Sequence, residues 1–191
     1  HYDTVTNNDR AGTRLALGHH VSTGHRHIAH LTLPMRIVRP DAKPPHTVRR
    51  EAYEDFVAES GLEANIVYCD PINDDPYLTT KELLSSDPTI TAVFAGNDTL
   101  AVDALRAVAD LGLSARDVSV VGYDDIPIAG HPLISLTTVT QFGEAIGHTA
   151  IDLLMERIRG GRDTPRHREL QPELRVRSSS QRASRPRTER P

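Results

Sequence analysis

The chain contains no tryptophan, a single cysteine, and only five tyrosines and three phenylalanines among its 191 residues. So sparse an aromatic set excludes the stacking platforms on which single-strand nucleic-acid binders hold bases. One cysteine, Cys69, forms no internal disulfide, so the fold must be stable on packing alone, and the expected compartment is the reducing cytoplasm. No apolar run approaches the length of a membrane-spanning helix, and no basic-then-apolar leader opens the chain, so no membrane partner is expected. A formal charge of -4 gives no overall attraction to a polyanion. Glycine-rich phosphate loops, nucleophile elbows and metal motifs are missing too, so the sequence calls for no catalytic residue, no cofactor and no metal.

What is present is alternation of helical and strand patterns, the mark of βαβ units around a parallel sheet. Helical segments are expected over Asp9–Val21, from Val48 to Gly61, from Asp75-Pro76 to about Leu84, and after Asp98 to Gly112, where Asp98 is expected to cap. A last amphipathic helix follows Gly143, with Ile146, Ala150, Leu153, Leu154 and Ile158 on one face and Gly160-Gly161 as its stop. Strands are expected at Ile28–Leu33, Asn65–Cys69, Thr91–Ala95, Val118–Val121 and Leu136–Val139. Glu169 to Val176 can supply one more, confined by Pro172 to an edge or a late start. Pro34 to Pro45 carries four prolines and is expected to be a loop. Residues 178–191 have no apolar side chain larger than alanine and are expected to be disordered.

The stretch Thr91–Gln141 is the most informative. It reads as a buried strand, Asn97-Asp98 at the turn into a helix, a second buried strand, and Gly122-Tyr123-Asp124-Asp125 where that strand ends. Parallel α/β sheets bind ligands just beyond the carboxyl ends of their strands, so polar side chains at two such ends point to a small-molecule pocket. Asn97 offers an amide that donates and accepts, Asp124 a carboxylate for two hydroxyl groups, and Arg49 a planar fork of donors. Asp124 and Asp125 are adjacent on an extended segment and point to opposite sides, which opposes an acid/base or metal pair. His19, His20, His25, His27 and His30 lack a completing carboxylate or cysteine, and read as solvated imidazoles at a helix end and loop. Cys69 reads as a small buried side chain rather than a nucleophile.

Val5-Thr6-Asn7-Asn8 with Gly12, the run GHRHIAHL from Gly24 to Leu31, Arg49 ahead of Ala52-Tyr53, AVFAGND, DVSVVGYDDIP, LTTVTQ and PELRVRSSS together resemble the effector-binding domain of the lac repressor family of transcription regulators. The resemblance spans about residues 5–180 and implies a periplasmic-binding-protein-like α/β fold with a parallel doubly wound sheet. It also implies effector contacts at Arg49, Asn97, Asp124, Gln141 and Asn7. Residues 8–141 with 174–177 would form the C-terminal subdomain, and residues 1–7 and 142–170 a remnant of the N-terminal one. The family's aromatic after Asp70 is replaced by Pro71.

By the same resemblance the chain is an N-terminally truncated regulator without enzymatic activity. Its partner would be a small-molecule effector, a carbohydrate. Operator DNA would be reached only through a missing helix-turn-helix headpiece, and the intact protein would be a homodimer. The last helix would lack the strands it packs on, at roughly 1.5 to 3 kcal/mol per large aliphatic side chain left wet, so it should be loosely held, dock elsewhere or self-associate. The alternatives are a transporter's sugar-binding protein, an enzyme on a doubly wound sheet, and a fragment with no role.

Overall fold

The computed structural model describes residues 2–34, 44–70, 72–160 and 164–183. Pro71, most of the Pro34–Pro45 loop and residues 184–191 lie outside the described residues. The body is a six-stranded sheet in the order β3-β2-β4-β5-β6-β8. Its strands are β2 (Ile28–Thr32), β3 (Asn65–Tyr68), β4 (Ala92–Ala95), β5 (Ser119–Asp124), β6 (Thr137–Thr140) and β8 (Glu173–Arg175). The first five run parallel and β8 pairs antiparallel with β6. The helices are α1 (Asp9–Ser22), α2 (Pro45–Glu59), α3 (Pro76–Ser86), α4 (Asp98–Asp110) and α5 (Gly143–Gly160).

Alternation along the central strands builds two cores, because successive side chains leave a strand on opposite faces. Ala92 and Phe94 of β4 join Val121 and Tyr123 of β5 against Ala16 and Leu17 of α1 and Tyr53 and Val57 of α2. Val93 and Ala95 join Val120 against Leu84 of α3 and Leu100, Ala101 and Ala104 of α4. The sheet is therefore covered on both sides, as parallel sheets require.

The chain turns from β2 outward to β3 and then returns across to β4, so the order reverses between β2 and β4. That gap is the topological switch point, where open α/β sheets form their crevice.

A second element pair stands apart. β1 (Thr4–Asn7) and β7 (His167–Leu170) form a two-stranded parallel sheet, and α5 packs on β1. Pattern reading expected one strand from Glu169 to Val176; instead two short strands serve different sheets. Pro172, which has no N–H to give a ladder, lies between them. On α5, Leu153 is buried while Ile151, Leu154 and Ile158 are 56–68% exposed.

Two further expectations are corrected. Ser178–Ala183 is not disordered: Ser179 and Ser180 are buried, and the Ser179 carbonyl accepts from the Val120 amide at 2.8 Å. The Ser179 hydroxyl accepts from the Thr137 amide at 2.7 Å and donates to the Val120 carbonyl at 2.7 Å. Seryl hydroxyls satisfy strand-end backbone groups here, an anchorage that a count of apolar side chains does not register. Three of the five histidines are not solvated either: His20, His25 and His30 are fully buried, whereas His27 is exposed as expected and His19 partly so. His30 stacks between Phe94 and Tyr53, with ring centroids 4.8 and 5.1 Å away. Burial pushes the imidazoles of His20 and His30 down to about 3. Both are neutral at pH 7, and each places one ring nitrogen on a backbone carbonyl.

Candidate functional site

The carboxyl ends of β2, β4, β5 and β6 carry Thr32, Gly96-Asn97, Asp124 and Gln141. Arg49 enters from the first turns of α2 and is buried to 3% side-chain exposure. Its guanidinium carbon lies over the Tyr123 ring, 3.7 Å from the centroid. Nε donates to Asp9 Oδ1 at 2.8 Å, and Nη1 donates to the Gly96 carbonyl at 2.6 Å and to Asp124 Oδ1 at 3.4 Å. A buried arginine of this kind requires partners on every side, and α1, the turn after β4, and β5 each supply one. Glycine at position 12 makes this stack fit, because a Cβ there would run into the Tyr123 ring.

Asp124 also accepts from Gln141 Nε2. Burial raises its carboxyl above the ordinary aspartate range despite the attraction of Arg49. Its φ is 118° and that of Asp125 is 54°. Two consecutive non-glycine residues in left-handed backbone are costly, and such strain collects at ligand sites. The two carboxylates diverge, with Asp125 pairing with Arg177 at 2.8 Å. Asn7, on β1, donates to the Tyr123 hydroxyl at 3.4 Å, and its Oδ1 is buried without a hydrogen-bond partner.

The cap of α4 falls one residue earlier than expected. Asn97 accepts from the Leu100 amide at 2.9 Å, which leaves Asp98 free for another task. Asp98 is buried, where it accepts from the Thr138 hydroxyl at 2.5 Å and the Ile126 amide at 2.9 Å. It thereby holds the loop after Asp124, and burial raises its carboxyl to about 6.

Arg49, Asp124 and Gln141 therefore meet directly, and Asn7 meets the same Tyr123 that Arg49 covers. Asn97 follows the Gly96 carbonyl to which Arg49 donates. Asn7 and Gln141 line a cleft of about 500 Å3 with Asp9, Arg10, Val48 and Glu169. Arg49 and Asp124 are linked to that wall through Asp9 and Gln141. Reading residues in sequence missed Asp9, Tyr123 and His46. His46 Nε2 sits 3.4 Å from Asn97 Nδ2 and Nδ1 is 3.4 Å from the Thr32 hydroxyl. The ring occupies the switch point, where Gly96 gives it room: a Cβ at 96 would stand 2.7 Å from its Nδ1. Burial, with help from Arg49, lowers His46 to about 4. Its position in the first turn after Pro44-Pro45 was the one available signal.

The arrangement presents acceptors on Asp9, Asp124 and Gln141 and an amide on Asn97 around an immobilised guanidinium. That set can exchange hydrogen bonds with hydroxyl groups. Among the described residues no group of three or more His, Cys, Asp or Glu side chains could hold a metal ion, and no helix is long and apolar enough to cross a membrane.

Residues 17–180 match the family described as periplasmic binding protein-like domain. The HTH-type transcriptional regulator CelR of Thermobifida fusca is 33% identical over 172 residues, covering 88% of this chain and 49% of that protein. A structure of the regulator CelR in complex with cellobiose superposes with a TM-score of 0.80 at 31% identity, covering 94% of this chain and 54% of the other. A LacI family transcriptional regulator from Enterococcus faecium with bound ribose gives 0.81 at 28% identity, covering 95% and 66%. The chain spans about half the length of the curated relatives it matches. The chain thus belongs to the periplasmic binding protein-like domain family, in the form that this domain takes in lac repressor family transcription regulators.

Proposed function

We propose that this chain supplies the effector-binding half-cleft of a lac-repressor-type regulator, with a neutral carbohydrate as effector. The observation that carries the reading is the convergence of Arg49, Asp124 and Gln141 at adjoining strand ends beside a 500 Å3 cleft. Arg49 is already paired with two carboxylates, Asp9 and Asp124, so an anionic ligand meets no spare positive charge there. Hydroxyl groups, by contrast, find acceptors. The cellobiose and ribose held by two structural neighbours fit that chemistry.

In the whole regulator, sugar binding between two lobes would shift the balance of two arrangements of a homodimer and so the spacing of its DNA-reading headpieces. Operator DNA is a partner of those headpieces and not of this domain, and the protein acts in the cytoplasm without catalysis. The exposed α5 face marks where the second lobe would pack.

The test is a titration of isotope-labelled protein with ribose, glucose and cellobiose at millimolar concentration, followed by amide chemical shifts. Perturbations are expected at Asn97, Asp124-Asp125 and the Gln141 side chain, and are lost in Asp124→Asn. Absence of any perturbation by all three sugars overturns the reading.

A further inference from the structure

At the opposite end of the sheet from the cleft, three imidazoles gather under the C-terminal segment. His19 Nε2 lies 2.8 Å from the Ser180 hydroxyl, and His25 Nε2 lies 2.9 Å from the Gln181 carbonyl. A carbonyl only accepts, so His25 carries its proton on Nε2, and Nδ1 accepts from the Thr91 hydroxyl at 3.0 Å. His20 stands edge-on behind, its ring centroid 5.7 Å from that of His25 and 6.3 Å from that of His19. Its Nδ1 is buried without a partner. The segment itself closes between β5 and β6 through Ser179, and its end is tied by the Ala183 amide to the Thr23 carbonyl at 2.9 Å.

We propose that residues 178–183 form an acid-released strap, latched by the neutral imidazoles of His19 and His25 with His20 buried behind them. Cations flank the latch. From the α1–β2 turn Arg26 stands beside His25, from the α4–β5 loop Arg116 donates to the Gln181 side chain at 3.2 Å, and the strap carries Arg182. The groups that shift these three histidines include no carboxylate. Among the described groups that shift them, a proton taken up by His19 or His25 meets no counter-charge, and a second meets the like charge of the first. The strap can lift without opening either core, since none of its six residues belongs to a core cluster and hydrogen bonds hold it in place of a packed helix. Lifting it hydrates the rings of His19 and His25, the two that touch the strap, and lets them charge at their ordinary value near 6.5, while His20 stays buried and neutral.

Native-state amide hydrogen exchange tests this on the full chain. Between pH 7.5 and 5.5 the protection of the Ser179 and Ala183 amides, corrected for intrinsic rates, is expected to fall about tenfold for each imidazole released. At both pH values it should stay below that of the α4 amides, which open only with the whole domain. His19→Gln and His25→Gln keep a donor at the Nε2 position without a titrating ring, and the double variant is expected to flatten the pH response. In the wild type, the midpoint of Ser179 deprotection should coincide with the titration of the His25 ring protons. That comparison decides the matter even where the double variant fails to fold. The proposal is overturned if strap and α4 amides exchange at one common rate, if the two midpoints differ, or if the response survives in the double variant.

Discussion

β4 and β1 are both four-residue strands, yet they live in different physical worlds. Each residue of Ala92–Ala95 is buried between two helical layers, whereas Thr4–Asn7 pairs with one other strand, leaves Thr6 exposed and is covered on one side by α5. A two-stranded sheet is marginal by itself, and it becomes stable when further strands or helices cover it. The six-stranded body thus buries both faces of its sheet with its own helices, whereas β1, β7 and α5 bury little and leave Ile151, Leu154 and Ile158 exposed.

The largest effect that sharpens this contrast comes from truncating one side chain in each region. Phe94→Ala removes a fully buried ring from the α1–α2 core and is expected to cost about 3–5 kcal/mol in chemical denaturation. Ile158→Ala, on a side chain 68% exposed, should cost less than about 0.5 kcal/mol. Comparable losses at the two positions would show that the α5 face is covered in this chain after all.

Acid should weaken the body next. The unfolded chain protonates its histidines below about 6.5, while His20 and His30 in the folded state refuse protons until about 3, so stability falls as pH falls through that window. From pH 7 to 5 the two together remove about 4 kcal/mol. Asp98 acts in the opposite sense. Its folded carboxyl takes a proton near 6 and its unfolded one only near 3.8, so acidification returns about 1 kcal/mol over the same range. These three groups set a net loss of about 3 kcal/mol across those pH values, and His46, which burial holds down at about 4, adds to it in the same direction; the loss is read in urea denaturation. His30→Phe, which keeps the ring stack between Tyr53 and Phe94, should recover roughly half of the histidine share.

Much of the body was legible because its patterns are local. The unbroken apolar run Ala92–Ala95, Asp75 ahead of Pro76, and the apolar stripe of α4 each announce their element within a few residues. What stayed hidden depends on distant partners. Nothing in Thr4–Asn7 signals a strand until His167–Leu170 arrives to pair with it. Ser179 of the strap satisfies backbone groups more than 40 residues away, so the composition of its own segment suggests solvent. Likewise His30 looks like a loop imidazole until Phe94 and Tyr53 close on both faces. In the site, strand-end positions exposed Asn97 and Asp124, but Tyr123 and Asp9 reveal themselves only as the surfaces that immobilise Arg49.

That immobilisation can be tested at Gly12. The Cβ introduced by Gly12→Ala displaces the Tyr123 ring, and overpacking of this kind costs about 1–3 kcal/mol. The guanidinium of Arg49 rests on that ring and should move with it, so the Asp124 and Gln141 resonances are expected to shift as well. A variant that loses stability without disturbing those resonances would separate the core beneath the site from the site itself.

Asn97 gives the smallest and most discriminating effect, since it serves both the body and the site. As the cap of α4 it accepts from the Leu100 amide, and Asn97→Ala should cost about 1 kcal/mol. Asn97→Asp keeps the accepting oxygen, and a carboxylate at a helix N-terminus is favourable, so stability should match or slightly exceed that of the wild type. The aspartate nevertheless lacks the Nδ2 donor that faces His46 at the switch point and brings a negative charge there. If the amide reads a sugar hydroxyl, Asn97→Asp abolishes the sugar-induced shifts while the melting temperature holds. If the residue only caps, both variants track stability alone and the aspartate behaves as the wild type throughout.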